Sequence, residues 1–288
     1  MARTQNDTGR AFEYAVVDYF ESKGYALGPL ASHHSSLYEA YFLAQTPQIQ
    51  QDFQTSAVQF FNWFQSNFGS KVSKKIDGLP DNSGSVVDIF IGDPGQVVNF
   101  SLKHNHLALR HNRPHGLPER CGIAGTKEAD QYLKSVYAIE KLLREQDPVQ
   151  QFSQLSDKRK WMKMINENCR QFLEQWQKSI PETVPSYFGF LTGNDRPYYK
   201  LVLNSRGANG GSYIHEFLSS SLPNKVKFSY NNSDHLVMEY DNGWTLKKRL
   251  HNAQSDLGML NMKNYSQTTD WKWDVSLVTQ PNPSVYKI

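Results

Sequence analysis

The sequence predicts an α/β fold built from three stretches of different character. Helical patterns and one β-hairpin come first, long helical patterns fill the middle, and short β-like runs dominate after Pro181. The helices are predicted from apolar residues that recur every three or four positions. The strands are predicted from short apolar runs bounded by Gly, Asn, Asp and Pro. A chain of 288 residues can bury one large core or two modest ones.

The first helix is predicted over Ala11–Lys23, where large apolar residues recur at helical spacing and Gly24 follows as a C-terminal stop. Glu13 falls in the first turn of this predicted helix. A carboxylate in that position complements the helix dipole. This structural role accounts for Glu13 without any function.

Further helices and strands follow along the chain. Residues 36–68 predict one or two helices whose aromatic stripe belongs to a core, with Glu39 as a minor site candidate. Residues 126–145 predict another helix, and residues 149–178 a long, charged helical stretch. The β-like runs are Tyr187–Leu191, Tyr198–Leu203, Val226–Tyr230, Leu236–Tyr240 and Trp271–Val278.

Composition and charge narrow the class of protein. Hydrophobic content of 39% with 13% aromatic residues is typical of a folded globular chain. The net charge of +3 is only mildly basic, so nucleic-acid contact must be argued from where the basic residues lie. Two cysteines, Cys121 and Cys169, are too few for a disulfide scaffold and suit a reducing compartment. No apolar run approaches roughly 18 residues and no signal-peptide pattern is visible, so we expect a cytoplasmic protein without a membrane partner.

A β-hairpin predicted over residues 86–103 has the most unusual chemistry of the chain. Val86–Ile91 is an apolar run interrupted by Asp88, and Gly92–Gly95 has Pro and Gly where a type II turn needs them. The returning strand alternates, so that Ser101 and Lys103 share its polar face. An acid beside a lysine can hold a hard divalent cation and orient an attacking water. A purely structural hairpin is the alternative.

The segment after the hairpin is basic and rich in hydrogen-bond donors. Between Lys103 and Arg120 its single carboxylate is Glu119. Arg side chains bind phosphate oxygens, and Asn and Arg side chains can read base edges in a major groove. The residues that we expect to contact DNA here are His104, Asn105, His106, Arg110, Asn112 and Arg113. A solvated basic loop explains the same composition.

A second basic stretch lies at Trp244–Ala253. Its candidate DNA-binding residues are Lys247, Arg249, His251 and Asn252. The side-chain types are those that pair with phosphates and purine edges. The alternative is a strand whose outward face is basic for solubility.

Two motifs of the chain resemble the PD-(D/E)xK nuclease superfamily. Asp88 followed by Ser101-Leu102-Lys103 resembles its catalytic hairpin, with Ser101 in place of the second acid. Gly9–Tyr14 (Gly-Arg-Ala-Phe-Glu-Tyr) resembles its N-terminal helix, which often has an extra metal-binding glutamate. The resemblance spans most of the chain through scattered short motifs.

Three strings resemble type II restriction endonucleases, and among them the HaeIII-like group: Ser101–His106, Arg110–Arg113 and Trp244–Ala253. The resemblance implies a twisted mixed sheet flanked by helices, and Mg²⁺-dependent hydrolysis of double-stranded DNA at a short specific sequence. The sequence GGCC would follow only from the HaeIII-like match. A palindromic target implies a homodimer, and a cognate DNA methyltransferase would protect the host DNA.

The resemblance also implies roles for individual residues. Asp88 would be the central metal ligand, the Leu102 carbonyl another, and Glu13 a ligand from its helix. Lys103 would position the attacking water or stabilise charge on phosphorus. Ser101 lacks the charge of the usual carboxylate, so the site needs another acid. Glu13 is the first choice for it, ahead of three other glutamates: Glu39, Glu119 and Glu128.

On this reading the nuclease core occupies residues 1–145, and residues 146–288 form a helical and β-rich part for DNA recognition and dimerisation. A single domain over residues 1–288 is the alternative.

One rival function is a zinc-using hydrolase, since four histidines cluster at His104, His106, His111 and His115, although their spacing matches no known zinc motif. The other rival function is that of a non-catalytic DNA-binding protein, which would leave the position of Asp88 beside Lys103 unexplained.

Overall fold

The computed structural model describes residues 5–80, 85–105, 107–149, 154–193, 197–205, 210–217, 221–230, 235–252, 271–281 and 283–288. Its helices are α1 (Gln5–Ser22), α2 (Pro29–Leu43), α3 (Pro47–Phe68), α4 (Leu117–Arg120), α5 (Lys127–Gln146), α6 (Lys158–Ser179) and α7 (Val184–Thr192). Its strands are β1 (Ala26–Leu27), β2 (Lys75–Gly78), β3 (Ile89–Ile91), β4 (Val98–His104), β5 (Tyr198–Asn204), β6 (Gly211–Phe217), β7 (Val226–Tyr230), β8 (His235–Tyr240), β9 (Thr245–Asn252), β10 (Trp271–Thr279) and β11 (Val285–Lys287). The α/β class predicted from the sequence is confirmed.

The chain forms two compact units. The first unit contains residues 1–107, 193–220 and 282–288, and the second contains residues 108–192 and 221–281. The sequence prediction placed a boundary at residue 145, so the observed units are divided differently. The reason is strand pairing: β5, far along the chain, pairs in parallel with β4 and therefore belongs to the first unit.

The first unit is built on a mixed seven-stranded sheet with the order β1-β2-β3-β4-β5-β6-β11. The β1–β2 and β4–β5 pairs are parallel, and the other pairs are antiparallel. Parallel neighbours need a long crossover. The connection from β4 to β5 contains residues 108–192 of the second unit.

The helices of the first unit bury aromatic side chains against the sheet. Phe12 and Phe20 of α1, Phe60 and Phe64 of α3, and Phe100 of β4 are almost fully buried in one cluster. Burial of each such ring stabilises the fold by about 1.5–3 kcal/mol. This core fixes α1 and β4 relative to each other, and so positions the residues described below.

The turn between β3 and β4 follows the sequence prediction. Gln96 N donates to Asp93 O at 3.0 Å across Pro94 and Gly95. Gly95 has φ of 94°, which a type II turn requires at its third residue and which glycine adopts without strain. The turn returns the chain antiparallel, so that β3 and β4 become neighbours.

The second unit combines helices α4–α7 with an antiparallel sheet of order β10-β9-β8-β7. Two of its long helices begin at side-chain caps, where Thr126 Oγ1 accepts from Ala129 N and Asp157 Oδ1 from Lys160 N. The predicted helix over residues 126–145 corresponds to α5. The predicted helical stretch over residues 149–178 begins later, at the start of α6.

Two local predictions are wrong. Tyr187–Leu191 is part of helix α7 and not a strand. Such a short apolar run has no period that separates a buried helix from a strand. Glu13 does not lie in a first helical turn, because α1 begins at Gln5 and not at Ala11. The helix dipole therefore gives no reason for a carboxylate at Glu13.

Among the described residues, no helix combines the length and the apolar character that a membrane crossing requires.

Candidate active site

Asp88 lies immediately before β3 and receives three hydrogen bonds on one oxygen. Ser101 Oγ donates to Asp88 Oδ2 at 3.1 Å, Leu102 N at 2.6 Å and Lys103 Nζ at 3.0 Å. All three donors come from β4. The structure therefore brings together the acid, the serine and the lysine of the predicted hairpin.

The β3–β4 register explains this arrangement. Ile89 pairs with Phe100, and Asp88 N donates to Phe100 O at 2.8 Å, so Asp88 is held opposite Ser101. Ile89 and Phe100 point into the core, and the alternation of a strand then places Asp88 and Ser101 on the opposite face. Both faces of β4 are covered here, since Ser101 is fully buried.

The other oxygen of Asp88 has a different environment. No described residue donates a hydrogen bond to Oδ1, and the side chain is 29% exposed. The N–H and C=O of one strand residue point to the same side of the strand. The carbonyl of Leu102 therefore points toward Asp88, as its N–H does. This side offers two hard oxygen atoms, one from the carboxylate and one from the backbone.

This donor set fits Mg²⁺. Magnesium in proteins is usually held by one or two carboxylates and keeps several waters or phosphate oxygens as ligands. Asp88 Oδ1 and the Leu102 carbonyl supply oxygens of that kind. The described residues contain no group of three or more His, Cys, Asp or Glu side chains able to hold a metal ion. Water and substrate oxygens would therefore complete the coordination.

Glu13, expected as a metal ligand, is engaged by a histidine. Its Oε1 lies 3.3 Å from Nδ1 of His34 on α2, and both side chains are largely buried. A Cβ on Gly78 would lie 3.6 Å from His34 Nδ1 and 3.7 Å from the backbone oxygen of Asp88. The glycine thus leaves open space between the Glu13–His34 pair and the backbone of Asp88.

The other acids considered as replacements for the missing carboxylate have different surroundings. Glu39 is exposed on α2. Glu119 is exposed in the second unit and lies 3.8 Å from Arg120. Glu128 lines a cavity of the second unit. None of the three belongs to the hydrogen-bonded cluster around Asp88.

Two basic residues, one buried and one half-buried, extend the candidate site along the sheet. Lys200 of β5 pairs in register with Ser101, and His215 of β6 pairs with Lys200. Residues paired across neighbouring strands project from the same face. Lys200 is fully buried, and its Nζ lies over the Phe217 ring at 4.9 Å from the centroid.

Burial is the main cause of the shifted pKa values of Lys200 and His215. Burial lowers the pKa of Lys200 well below its ordinary value, the charge of Lys103 lowers it further, and Asp88 opposes the shift. Burial, and next the charge of Lys200, lowers the pKa of His215 to about 4. His215 is therefore neutral at pH 7. A fully buried lysine is costly unless its surroundings use it.

The residues at the end of β4 form a local network. His104 Nε2 lies 2.8 Å from Ser205 Oγ and 3.0 Å from Asn105 Nδ2. Asn105 has φ of 63°, and its Oδ1 accepts from Ser205 N at 2.7 Å. These contacts hold the end of β4 against the end of β5. His106 lies outside the described residues.

The remaining candidates of the basic loop belong to the second unit. Asn112 is 5% exposed and forms a bridge with Trp273, so its amide is not presented to solvent. Arg110 stacks over the Phe190 ring at 5.1 Å. Arg113 is exposed. The loop is therefore only partly a solvated surface.

The basic strand β9 alternates between buried and solvent-facing residues. Lys248 is fully buried, contacts the Tyr187 hydroxyl and lies over the Trp273 ring. Its pKa is lowered to about 8, chiefly by burial. Lys247 and Arg249 lie on the opposite face, as alternation requires. Asn252 ends the strand.

Asp274 of β10 faces that outer side of β9. His251 Nε2 lies 3.0 Å and Arg249 Nη2 3.5 Å from its Oδ2. His111 Nδ1 lies 3.2 Å and Lys272 Nζ 3.9 Å from its Oδ1. Arg249 and His251 were expected to contact DNA, and the side chains of both contact Asp274 within the second unit.

The histidine cluster that suggested zinc is dispersed over different partners. His104 contacts Ser205, and His111 contacts Asp274. His115 Nε2 lies 3.4 Å from the buried Glu140, whose pKa is raised chiefly by burial. The described histidines therefore do not converge on one point.

No protein-family model and no curated protein matches this chain.

Sequence reasoning identified Asp88, Ser101 and Lys103 but missed Lys200, His215 and His34. The sequence does contain a signal for Lys200. Like Asp88, Lys200 is a single charged residue within an apolar strand. His34 had no such signal, since His33-His34 lies in a helix of ordinary composition.

Proposed function

We propose that the first unit hydrolyses phosphodiester bonds of double-stranded DNA with Mg²⁺ at the cluster around Asp88. The observation that carries the proposal is the asymmetry of this carboxylate. One oxygen is held by Ser101, Leu102 and Lys103, and the other has no described donor. A structural ion pair would not require three donors on a single oxygen and a partly exposed second one.

Each residue of the cluster would have a separate role in the reaction. Ser101 and the Leu102 N–H fix the orientation of the carboxylate, and Asp88 Oδ1 with the Leu102 carbonyl holds the metal. When bound, Mg²⁺ supplies Lewis-acid polarisation of the scissile phosphate. Lys103 Nζ orients the attacking water or stabilises the negative charge that develops on the phosphate oxygens. Glu13, with its partner His34, would orient the metal ligands from α1.

Finer features rest on the resemblance to type II restriction endonucleases. We propose a short, palindromic target read by a homodimer, with GGCC as the target only on a HaeIII-like assignment. The resemblance further supports a cytoplasmic protein that acts beside a cognate DNA methyltransferase. The exposed Arg113 and the half-buried Lys247 on the outer face of β9 are the best candidates for phosphate contact.

Cleavage of unmethylated plasmid DNA tests the proposal. We expect discrete fragments with Mg²⁺, intact DNA with EDTA, and loss of activity by about 10²–10³-fold in Asp88→Asn, which loses the charge that faces the metal. Asp274→Asn is the matched control, since it changes an acid that is also surrounded by cations, and it should keep most of the activity.

Sequencing of the fragment ends would give the target. Intact DNA with wild-type protein on methylated and unmethylated templates would reject hydrolysis. Binding of DNA without cleavage, unchanged in Asp88→Asn, would support a non-catalytic DNA-binding protein instead.

A further inference from the structure

The last residues of β4 are held by a neighbouring strand on one side only. The register of β3 with β4 ends at Phe100, whereas β5 pairs with β4 as far as His104. Among the described strands, β5 is therefore the one neighbour of residues 101–104. Lys103 lies in this part of β4, and its Nζ is 3.0 Å from Asp88 Oδ2. Because lysine has a flexible four-carbon stem, the position of its ammonium group depends on how firmly the backbone of β4 is held.

Side chains close the open end of this β4–β5 pair. Asn105 N donates to Leu203 O at 2.8 Å, and Ser205 N donates to Asn105 Oδ1 at 2.7 Å. The side-chain oxygen of Asn105 thus accepts the bond that a backbone carbonyl would accept in a longer ladder. The other end of the amide, Nδ2, lies 3.0 Å from His104 Nε2, which is itself 2.8 Å from Ser205 Oγ. We call His104, Asn105 and Ser205 the strand clasp.

The hydrogen positions in the strand clasp follow from one obligate donor. Because Ser205 N has a hydrogen to donate, the amide oxygen of Asn105 faces it and the amide nitrogen faces His104. His104 Nε2 therefore accepts, and the proton of the neutral ring lies on Nδ1. Ser205 Oγ then donates to the same nitrogen. Turning the amide over would set two donors against each other, so the strand clasp has one consistent arrangement.

The backbone of Asn105 is strained. Its φ of 63° lies in the left-handed region, and among the described residues it is the one residue other than glycine with a positive φ. Strain of this kind persists where surrounding contacts fix it, and it clusters at functional sites. Both ends of the Asn105 side chain are engaged within the protein. A role in holding the strands therefore fits Asn105 better than the DNA contact expected from the sequence.

We propose that Asn105 is a positioning residue for Lys103: the strand clasp fixes the end of β4 so that the Lys103 ammonium meets the phosphate that is cleaved. The inference rests on the proposed function, because it names the residue that holds one of the catalytic groups. Opening the strand clasp then lowers kcat, since Lys103 acts on charge that develops in the transition state. KM changes little, because the strand clasp itself does not touch DNA.

The first experiment compares Asn105→Gly with wild type in plasmid cleavage with Mg²⁺. Glycine adopts the left-handed conformation without strain and removes both side-chain bonds. We expect kcat to fall about tenfold, with KM within about threefold of wild type, because a displaced catalytic group costs rate and not binding. Asn242→Gly is the matched control. Asn242 Nδ2 donates to Ser221 O and its Oδ1 accepts from Trp244 N in the second unit, and kcat should not change when this side chain is removed.

A double-mutant cycle with Lys103→Ala shows whether Asn105 acts through Lys103. In the Lys103→Ala background, Asn105→Gly should change kcat by less than about twofold, because the group that the strand clasp positions is then absent. An equal loss in both backgrounds would overturn the inference and would mean that Asn105 supports the fold instead. A raised KM with unchanged kcat would also overturn it, and would return Asn105 to a DNA contact.

Two further measurements keep the test independent of how well Asn105→Gly folds. Ser205→Ala removes only the hydroxyl from the strand clasp, and kcat should fall about threefold. Long-range ¹⁵N–¹H NMR spectra of the wild type at neutral pH should show His104 with a protonated Nδ1 and an unprotonated Nε2. A protonated Nε2 would reject the strand clasp, whatever the protein does to DNA.

The outcomes separate this inference from the proposed function. Wild-type protein that leaves DNA intact rejects the proposed function and the inference with it. Wild-type cleavage that keeps its full kcat in Asn105→Gly and Ser205→Ala rejects the inference alone.

Discussion

Two aspartates of this chain are surrounded by basic groups in opposite ways. Asp88 of the first unit has three donors on one oxygen and no described donor on the other. Asp274 of the second unit has side-chain cations on both oxygens. Both oxygens of Asp274 therefore have partners, whereas the described partners of Asp88 all meet on Oδ2. The two side chains are similarly exposed, so the difference lies in how their oxygens are paired. An acid with partners on both oxygens stabilises the fold, and an acid with partners on one oxygen can bind something else with the other.

The largest expected difference between the two regions concerns their lysines. Lys103 lies 3.0 Å from Asp88, and Lys272 lies 3.9 Å from Asp274. We expect Lys103→Ala to lower kcat/KM for plasmid cleavage by about 10²-fold or more, because it removes charge stabilisation at the phosphate. Lys272→Ala should change it by less than about threefold. Equal losses in the two variants would mean that Asp88 is as structural as Asp274.

The next prediction concerns the two fully buried lysines, Lys200 of the first unit and Lys248 of the second. Replacement of either by Met removes a buried cation, so the free energy of unfolding should rise by about 1–3 kcal/mol. Cleavage should fall about tenfold in Lys200→Met, which loses the amine that interacts with Lys103 and Asp88. Lys248→Met should retain cleavage.

Urea unfolding and cleavage rates on the same preparations test this pair. A Lys200→Met protein that gains stability and cleaves at the wild-type rate would show that Lys200 has no part in the site. A loss of stability in both variants would show that hydrogen bonds of the buried ammonium groups outweigh the cost of their burial.

The comparison also shows how far the sequence predicts this molecule. Asp88 and Lys103 were predictable because a short turn joins their strands and alternation then decides which side chains share a face. The place of Lys200 in the site was not predictable. Its strand β5 pairs with β4 across a crossover of nearly a hundred residues, and no local pattern specifies that register. The strand β6, with His215, was not predicted at all.

The same limit applies to the second unit. Alternation separates Lys247 and Arg249 from Lys248, but it does not reveal that the outward face meets Asp274 on β10. The basic face was therefore interpreted as a DNA contact from composition alone. The prediction of a strand in place of α7 was wrong for another reason. An apolar run that is buried on most sides shows no helical period in its sequence.

The dependence of stability on pH gives a separate test of Asp274. Burial raises the pKa of Asp274, but hydrogen bonds from His111 and His251 and the charges of His251 and Lys272 outweigh it, so the pKa is well below its ordinary value. The folded state then binds fewer protons than the unfolded chain, which adds stability above about pH 4 that is lost as the pH falls toward the folded pKa.

We expect Asp274→Asn to lower the free energy of unfolding by about 1–2 kcal/mol at neutral pH, because it leaves several cations without their partner. The difference from wild type should shrink below about pH 4, because the carboxylate of the unfolded wild-type chain then takes up a proton while that of the folded protein stays charged. Urea titrations at successive pH values measure this. A difference that stays constant from neutral to strongly acid pH would mean that the amide is a worse fit for reasons other than charge.

The smallest expected effect separates the two outward-facing cations of β9. No described residue forms an ion pair with Lys247, whereas Arg249 is paired with Asp274. If Lys247 contacts a phosphate, Lys247→Ala should reduce the slope of log Kobs against log salt concentration by about one, equally for specific and non-specific DNA. Arg249→Ala should change the slope less, because its charge is already balanced. The opposite order, measured by fluorescence anisotropy over a salt series, would mean that Arg249 leaves Asp274 for the DNA, and that this acid, too, exchanges partners in function.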